Sequence, residues 1–202
     1  TSKSSAEQLQ APRPDRLRGK FVILSAANYY RRKGLEELVT AFSEACVSMP
    51  HAELHLVTAA PDKLRQQIAA SPVAERIVVH EPMAPEELRQ WMVWADVFAL
   101  PSWAEAFGLV YAESLSAGTP TILTEDCGFA HIVKRIDESG ERVAWVVPPR
   151  DHVALSAVLA EVVKAPQRCR EMGEAGRIFA ERELGWDHNA RVLADALSLS
   201  SS

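Results

Sequence analysis

The chain of 202 residues is 48% hydrophobic and 24% charged, which is typical of a soluble globular domain, and its length favours one domain over two. Its 22 Lys and Arg residues against 27 Asp and Glu residues give a formal net charge of -5, so no overall basic field favours a nucleic acid partner. Cys46, Cys127 and Cys169 lack CxxC spacing, which argues against a disulfide framework and a zinc site, and no apolar run reaches the roughly 18 residues of a spanning helix.

Residues 1–20 combine Ser, Gln, Pro and mixed charges without periodicity, and this pattern predicts a flexible linker. Short apolar runs then predict six strands, at 21–26, 53–58, 77–80, 97–100, 121–124 and 144–147. Helical spacing of apolar residues predicts helices from Leu35 to Cys46, at 62–70, 85–95 and 108–117, from an N-cap at Asp151, and at 166–182 and 187–197. Residues 21–202 are therefore expected to form one α/β domain, a Rossmann-like three-layer sandwich with a parallel sheet of about six strands.

The loop after the fourth predicted strand has the strongest functional signal, because open parallel sheets bind ligands beyond the carboxyl ends of their strands. Glu105 lies in this loop, and Glu113 lies in the helix that follows it. Phe107, Gly108 and Leu109 would begin that helix, whose free N–H groups and positive dipole end favour an anion. Two carboxylates on either side of an anion site suit an elongated ligand with hydroxyls at both ends and phosphates in the middle.

The loop after the first predicted strand carries three consecutive cations, Arg31, Arg32 and Lys33, before a helix that begins near Leu35. Arginine binds phosphate with two parallel hydrogen bonds, and lysine acts as a point charge. This loop is therefore a second candidate for binding a diphosphate.

Residues 101–122, PSWAEAFGLVYAESLSAGTPTI, resemble the Glu-x7-Glu signature of the family-4 retaining glycosyltransferases, which have the two-domain GT-B architecture. The resemblance implies that Glu105 lies beside the donor sugar and that Glu113 binds the ribose hydroxyls. It also implies that Phe107, Gly108 and Leu109 supply backbone N–H groups to the sugar and diphosphate. Ser102, in the same motif, is expected to bind the donor as well.

Other family patterns match only in part. The family's Arg-x(4-5)-Lys-Gly pattern fits Lys33 and Gly34, but its arginine falls on Ala27 or Asn28, so Arg31 or Arg32 is the available replacement. Two further loops depart from the pattern, because Glu81 stands where a glycine is usual and His131 stands where a glutamate is usual. The resemblance leaves Glu105 and Lys33 as the expected catalytic residues.

The resemblance covers nearly all of residues 21–197 and implies one half of a GT-B enzyme, the C-terminal half that binds the donor. The activity implied is transfer of a sugar from a nucleotide diphosphate sugar, with retention of configuration, no metal and no cofactor, and with UDP or GDP favoured. The chain alone is expected to be inactive without an N-terminal acceptor-binding domain or a partner subunit. The free cysteines and the lack of a signal peptide predict a cytoplasmic location.

A non-catalytic module that binds a nucleotide or a nucleotide sugar is the main alternative. A glycoside hydrolase using Glu105 and Glu113 would leave the anion site between them unexplained. A nicotinamide dehydrogenase is disfavoured, because the first loop has cations where GxGxxG is required.

Overall fold

The computed structural model describes residues 11–28, 31–138 and 140–184. Strands and helices alternate through this part of the chain. The strands are β1 (Phe21–Ala26), β2 (Ala52–Val57), β3 (Ile77–His80), β4 (Val97–Ala99), β5 (Thr121–Thr124) and β6 (Ala144–Val147). The helices are α1 (Leu35–Cys46), α2 (Asp62–Ala69), α3 (Pro85–Trp94), α4 (Leu109–Ser116), α5 (Gly128–Glu138), α6 (His152–Lys164) and α7 (Pro166–Phe179).

The six strands form one parallel sheet in the order β3-β2-β1-β4-β5-β6, which confirms the predicted fold class. All six residues of β1 are buried, because helices cover a parallel sheet of this kind on both faces. The chain winds outward from β1 to β3 and then, in the opposite direction, from β4 to β6. Right-handed crossovers therefore place the helices of the two halves on opposite faces, and α1 packs against α2 and α6 while α4 packs against α3 and α7.

The predicted elements agree with the structure to within a few residues at their ends, with one omission. Asp151 caps α6 as expected, since its side chain accepts a hydrogen bond from the Ala154 N–H at 2.9 Å. Helix α5 was not predicted, although its buried Phe129, Val133 and Ile136 follow the i, i+4, i+7 spacing of an amphipathic helix. The predicted helix at 166–182 ends as an α-helix at Phe179 and continues as a π-helical turn, Ala180–Leu184. The predicted helix at 187–197 lies outside the described residues.

Some residues of the segment 11–20, the end of the linker expected at 1–20, make contacts with the domain. Leu17 is buried in the core, in a short 3-10 helix. Arg13 forms an ion pair with Asp96 at 2.9 Å, and the same carboxylate accepts the Val22 N–H at 2.8 Å. These contacts tie the segment to the start of β1.

The three cysteines are free and buried. Burial raises the pKa of Cys46 to about 11 and that of Cys169 to about 12, so both thiols are protonated at neutral pH and unreactive. Within the described ranges, no helix has the length and apolar character needed to cross a membrane.

Two histidines lie together beside the N-terminal segment, with His55 buried and His80 half-buried. His55 Nδ1 lies 2.9 Å from His80 Nε2, and both rings contact Trp91, over which the Arg16 guanidinium lies at 5.1 Å. Burial lowers the pKa of His55 to about 4, against the opposing effect of Glu53, and also lowers the pKa of His80. The pair is therefore uncharged in the folded protein at neutral pH.

The free energy of unfolding is expected to fall as the pH decreases from 6.5 towards 4, because the unfolded chain then binds protons that the folded His55 excludes. The loss attributable to His55 is about 2 kcal/mol between pH 7 and pH 5. Urea unfolding of the wild type and of His55→Gln between pH 7 and pH 5 measures this loss of unfolding free energy. The unfolding free energy of the variant should depend less on pH. The same exchange at the exposed His51 is the control, and equal pH dependence in all three proteins would refute the assignment.

Candidate functional site

The candidate site lies where the winding of the sheet reverses, between β1 and β4. Helix α1 follows β1 and helix α4 follows β4, so their N-termini begin at the carboxyl edge of the sheet, on either side of a crevice. A cleft of about 280 Å³ opens at this edge. Its lining is mainly apolar, with one cation, and consists of Ala26, Ala27, Asn28, Lys33, Val57, Pro82, Met83, Leu88, Leu100 and Val110.

Two loops, one after β1 and one after β4, are bound to each other across the reversal point. The Lys33 ammonium forms an ion pair with the Glu105 carboxylate, and each side chain is 19% exposed. The Trp103 N–H donates to the Arg32 carbonyl at 2.9 Å. The two residues expected to be catalytic therefore neutralise each other in the free protein.

Gly34 allows these loops to approach so closely. It adopts the left-handed conformation, with φ of 71°, at the start of α1. A Cβ atom at this position would overlap the carbonyl oxygen of Pro101. Any other residue would therefore combine backbone strain with a steric clash.

A second contact, with the loop after β5, holds Glu105 from the other side. The Gly128 N–H donates to the Glu105 carbonyl at 2.9 Å, and the absence of a side chain at Gly128 leaves room for the Ala106 carbonyl. Gly108, with φ of 84°, begins α4 against the ring of Tyr111, whose hydroxyl donates to the Leu100 carbonyl at 2.7 Å. The Glu105 loop is thus fixed at both of its ends.

The other predicted site residues have different positions relative to this edge. Glu113 is exposed and is the fifth residue of α4, as the loop-and-helix interpretation expected. Phe107 and Leu109 are 45% and 67% exposed on either side of the glycine that begins α4. Arg31 and Arg32 are also exposed, next to Lys33.

Ser102, which is expected to bind the donor, lies inside the fold and not at its surface. It is completely buried, its N–H donates to the Leu100 carbonyl at 2.9 Å, and its carbonyl accepts the Thr124 hydroxyl at 2.5 Å. The second of these backbone contacts ties the loop to the end of β5.

The loops that depart from the family pattern lie at the same edge of the sheet. Glu81 directly follows β3 and pairs with Arg65 at 3.3 Å, and the next two residues line the cleft. His131 is exposed in the first turn of α5. In the part of the chain that the structure describes, no group of three or more His, Cys, Asp or Glu residues is placed to hold a metal ion.

Sequence reasoning missed Trp103, which contacts both neighbouring loops. Its indole N–H donates to Glu37 at 3.0 Å, and the Arg150 guanidinium lies 4.3 Å from its ring centroid. The only available signal was its place within the motif, two residues before Glu105, because its partners Glu37 and Arg150 are distant in sequence.

Residues 8–179 match the family described as Glycosyl transferases group 1. A D-inositol 3-phosphate glycosyltransferase from Streptomyces scabiei is 31% identical over 137 residues, which are 68% of this chain and 29% of that protein. A GDP-mannose-dependent alpha-(1-6)-phosphatidylinositol monomannoside mannosyltransferase from Mycolicibacterium smegmatis is 28% identical over 206 residues, covering 93% of this chain and 53% of that protein.

The fold also matches solved structures of glycosyltransferases. The structure of Anabaena Alr3699/HepE in complex with UDP and glucose superposes with a TM-score of 0.75 and 21% identity, covering 100% of this chain and 53% of that chain. The chain therefore spans about half the length, or less, of the relatives it matches.

Gly34→Ala is expected to destabilise the protein by at least about 2 kcal/mol more than Gly19→Ala. Both glycines have a left-handed φ, of 71° and 73°, so both variants incur a backbone cost of about 1 kcal/mol. Only the Cβ at position 34 also overlaps the opposite loop, whereas nothing lies within 4 Å of a Cβ at position 19. Urea unfolding measures both losses, and equal values would show that the two loops do not restrict residue 34.

Proposed function

Because the chain belongs to the family of group 1 glycosyl transferases, we propose that it is the donor-binding domain of a retaining glycosyltransferase of the GT-B type, which uses a nucleotide diphosphate sugar. The observation that carries the proposal is the pairing of Lys33 with Glu105 beside the start of α4, at the reversal point of the sheet. The names of two similar proteins support it, since one is GDP-mannose-dependent and the other was solved with UDP and glucose.

The residues of the crevice suit the base, the ribose and the sugar of such a donor in turn. The apolar cleft formed partly by Pro82 and Met83 accepts the base. The names of the two similar proteins favour GDP or UDP as the nucleotide. The exposed Glu113 accepts hydrogen bonds from the ribose hydroxyls. Glu105, which precedes Glu113 in the same motif and is held by Lys33, orients the sugar.

The diphosphate of the donor would lie between the ribose at Glu113 and the sugar at Glu105. The first N–H groups of α4, after Gly108, have no acceptor within the helix and carry the positive end of its dipole. Lys33 adds a full positive charge, and Arg31 or Arg32 supplies another from the exposed side of the same turn. These charges compensate for the arginine that the family pattern would place at Ala27 or Asn28.

Transfer of the sugar breaks the bond between its anomeric carbon and the diphosphate, so negative charge grows on the departing group. Lys33 and the N-terminus of α4 stabilise that charge electrostatically, without a metal ion. The diphosphate competes with Glu105 for the Lys33 ammonium, and this exchange leaves the carboxylate available to the sugar. Glu105 then orients the sugar ring and stabilises positive charge that develops on it.

The acceptor is bound by an N-terminal domain or a partner subunit, since this chain corresponds to only part of each relative. A second domain would close the crevice, exclude water and align the acceptor hydroxyl with the anomeric carbon. Binding of the donor is therefore the property of this chain that can be tested directly.

Calorimetric titration with UDP, GDP and ADP, and with the corresponding nucleotide sugars, tests the proposal in the presence of a metal chelator. We expect one nucleotide to bind without metal and its nucleotide sugar to bind more tightly. Absence of binding by all of them would overturn the proposal. Binding without any sugar transfer, once an acceptor domain is supplied, would instead identify a non-catalytic nucleotide-binding module.

Glu113→Ala is expected to weaken binding of the nucleoside diphosphate by about tenfold and to leave binding of inorganic pyrophosphate unchanged. The reason is that the carboxylate contacts the ribose, which pyrophosphate lacks. Titration of both ligands into the variant and the wild type measures the difference. Glu138→Ala, at an exposed position at the end of α5, is the control, and equal weakening of both ligands by Glu113→Ala would remove this residue from its role.

A further inference from the structure

Trp103 is attached to elements on both sides of the loop that carries Glu105. Its backbone N–H donates to the Arg32 carbonyl at 2.9 Å, and its indole N–H donates to Glu37 Oε1 at 3.0 Å. Its ring lies under the Arg150 guanidinium, 4.3 Å from the centroid. These contacts reach the loop after β1, the first turn of α1 and the loop after β6.

Arg150, whose guanidinium lies over the Trp103 ring, has a left-handed backbone conformation. Arg150 has φ of 60°, and it is the one residue other than glycine with a positive φ among those the structure describes. This conformation is strained for a residue with a side chain, so the surrounding contacts must outweigh its cost. The cation–π contact with Trp103 is one interaction that favours it.

The distance along the chain from Trp103 to Glu105 is short. Ala104 alone separates them, and the loop between β4 and α4 has no regular secondary structure. Trp103 and Glu105 contact consecutive residues of the opposite loop, Arg32 and Lys33. Fixing the indole therefore fixes the backbone from which the Glu105 side chain extends.

We propose that Trp103 is a positioning residue, which holds the Glu105 carboxylate where it can contact the sugar of the donor, with Glu37 and Arg150 fixing the indole. This inference rests on the proposed function of the crevice. A carboxylate on an irregular loop contributes to recognition only if its supporting contacts hold it within about half an ångström of its bound position. Lys33 and the N-terminus of α4 bind the diphosphate from other segments, so they do not require the indole.

A positioning role for Trp103 predicts that its loss weakens binding of the sugar and not of the nucleoside diphosphate. Loss of the indole hydrogen bond should leave the affinity for the nucleoside diphosphate within about twofold of the wild type. The additional affinity that the sugar provides, expressed as the ratio of the two dissociation constants, should fall by about tenfold. A role limited to folding would change thermal stability or weaken both ligands together, and it would not change this ratio.

The experiment is calorimetric titration of Trp103→Phe, Glu37→Ala and Glu37→Gln with the nucleoside diphosphate and the nucleotide sugar that the wild type binds. Trp103→Phe keeps an aromatic ring and removes the N–H donor together with the five-membered ring of the indole, so the Glu37 variants are needed to isolate the hydrogen bond. Glu37→Ala removes the acceptor, whereas Glu37→Gln retains a carbonyl oxygen in the same place and should restore most of the ratio. The double variant Trp103→Phe, Glu37→Ala should lose no more than either single variant.

Trp94→Phe is the matched control. Its indole N–H also donates a hydrogen bond, to the Ala11 carbonyl at 3.0 Å, but it lies at the last residue of α3, at the opposite edge of the sheet. We expect it to leave the ratio unchanged.

The outcomes separate this inference from the function on which it rests. No nucleotide binding by the wild type would overturn the proposed function, and this inference with it. Wild-type binding with the same ratio in Trp103→Phe and Glu37→Ala would overturn the positioning role alone. Failure of Glu37→Gln to restore the ratio would show that the hydrogen bond to the indole is not the contact that matters.

Discussion

The close approach of two loops at the reversal point of the sheet is the constraint on which the rest of the site depends. Strands β1 and β4 are neighbours, but the chain leaves them towards opposite faces, so their loops diverge unless something ties them together. Gly34 removes the steric barrier against Pro101, and the hydrogen bond from Trp103 to Arg32 joins the two backbones. The crevice is consequently narrow enough for groups of both loops to contact one ligand.

The charges follow from this geometry. Bringing the loops together places Lys33 against Glu105, and both side chains are largely removed from water. Either one alone would be a poorly solvated charge, so each stabilises the other. The same pairing places a basic group and an acidic group beside the N-terminus of α4, in the position that the proposed function requires for a donor with phosphates and hydroxyls.

Much of this could be predicted from the sequence, because the information is local. Apolar runs of strand length are sufficient to locate all six strands, and the spacing of Glu105 and Glu113 places one in a loop and the other in a helix. The contacts of Trp103 with Glu37 and Arg150 join two loops and the first turn of α1, which are far apart in sequence, so no local pattern contains them. Helix α5 is a different case, since the apolar spacing that predicts it is present in the sequence. The burial of Ser102 could not be predicted from the sequence either, because a serine in a loop is usually exposed.

The arrangement of residues 101–105 gives the motif a physical explanation that its pattern alone does not contain. Pro101 and Ser102 are buried, Trp103 and Glu105 are partly buried, and Ala104 is exposed. On one side, the Pro101 backbone carbonyl lies against Gly34, the Trp103 indole N–H donates to Glu37, and Glu105 pairs with Lys33. On the other side, the Ser102 carbonyl accepts the Thr124 hydroxyl, which ties the same segment to the end of β5. Spacing within the motif is thus set by backbone contacts on both sides of the segment, as well as by the chemistry that each side chain carries.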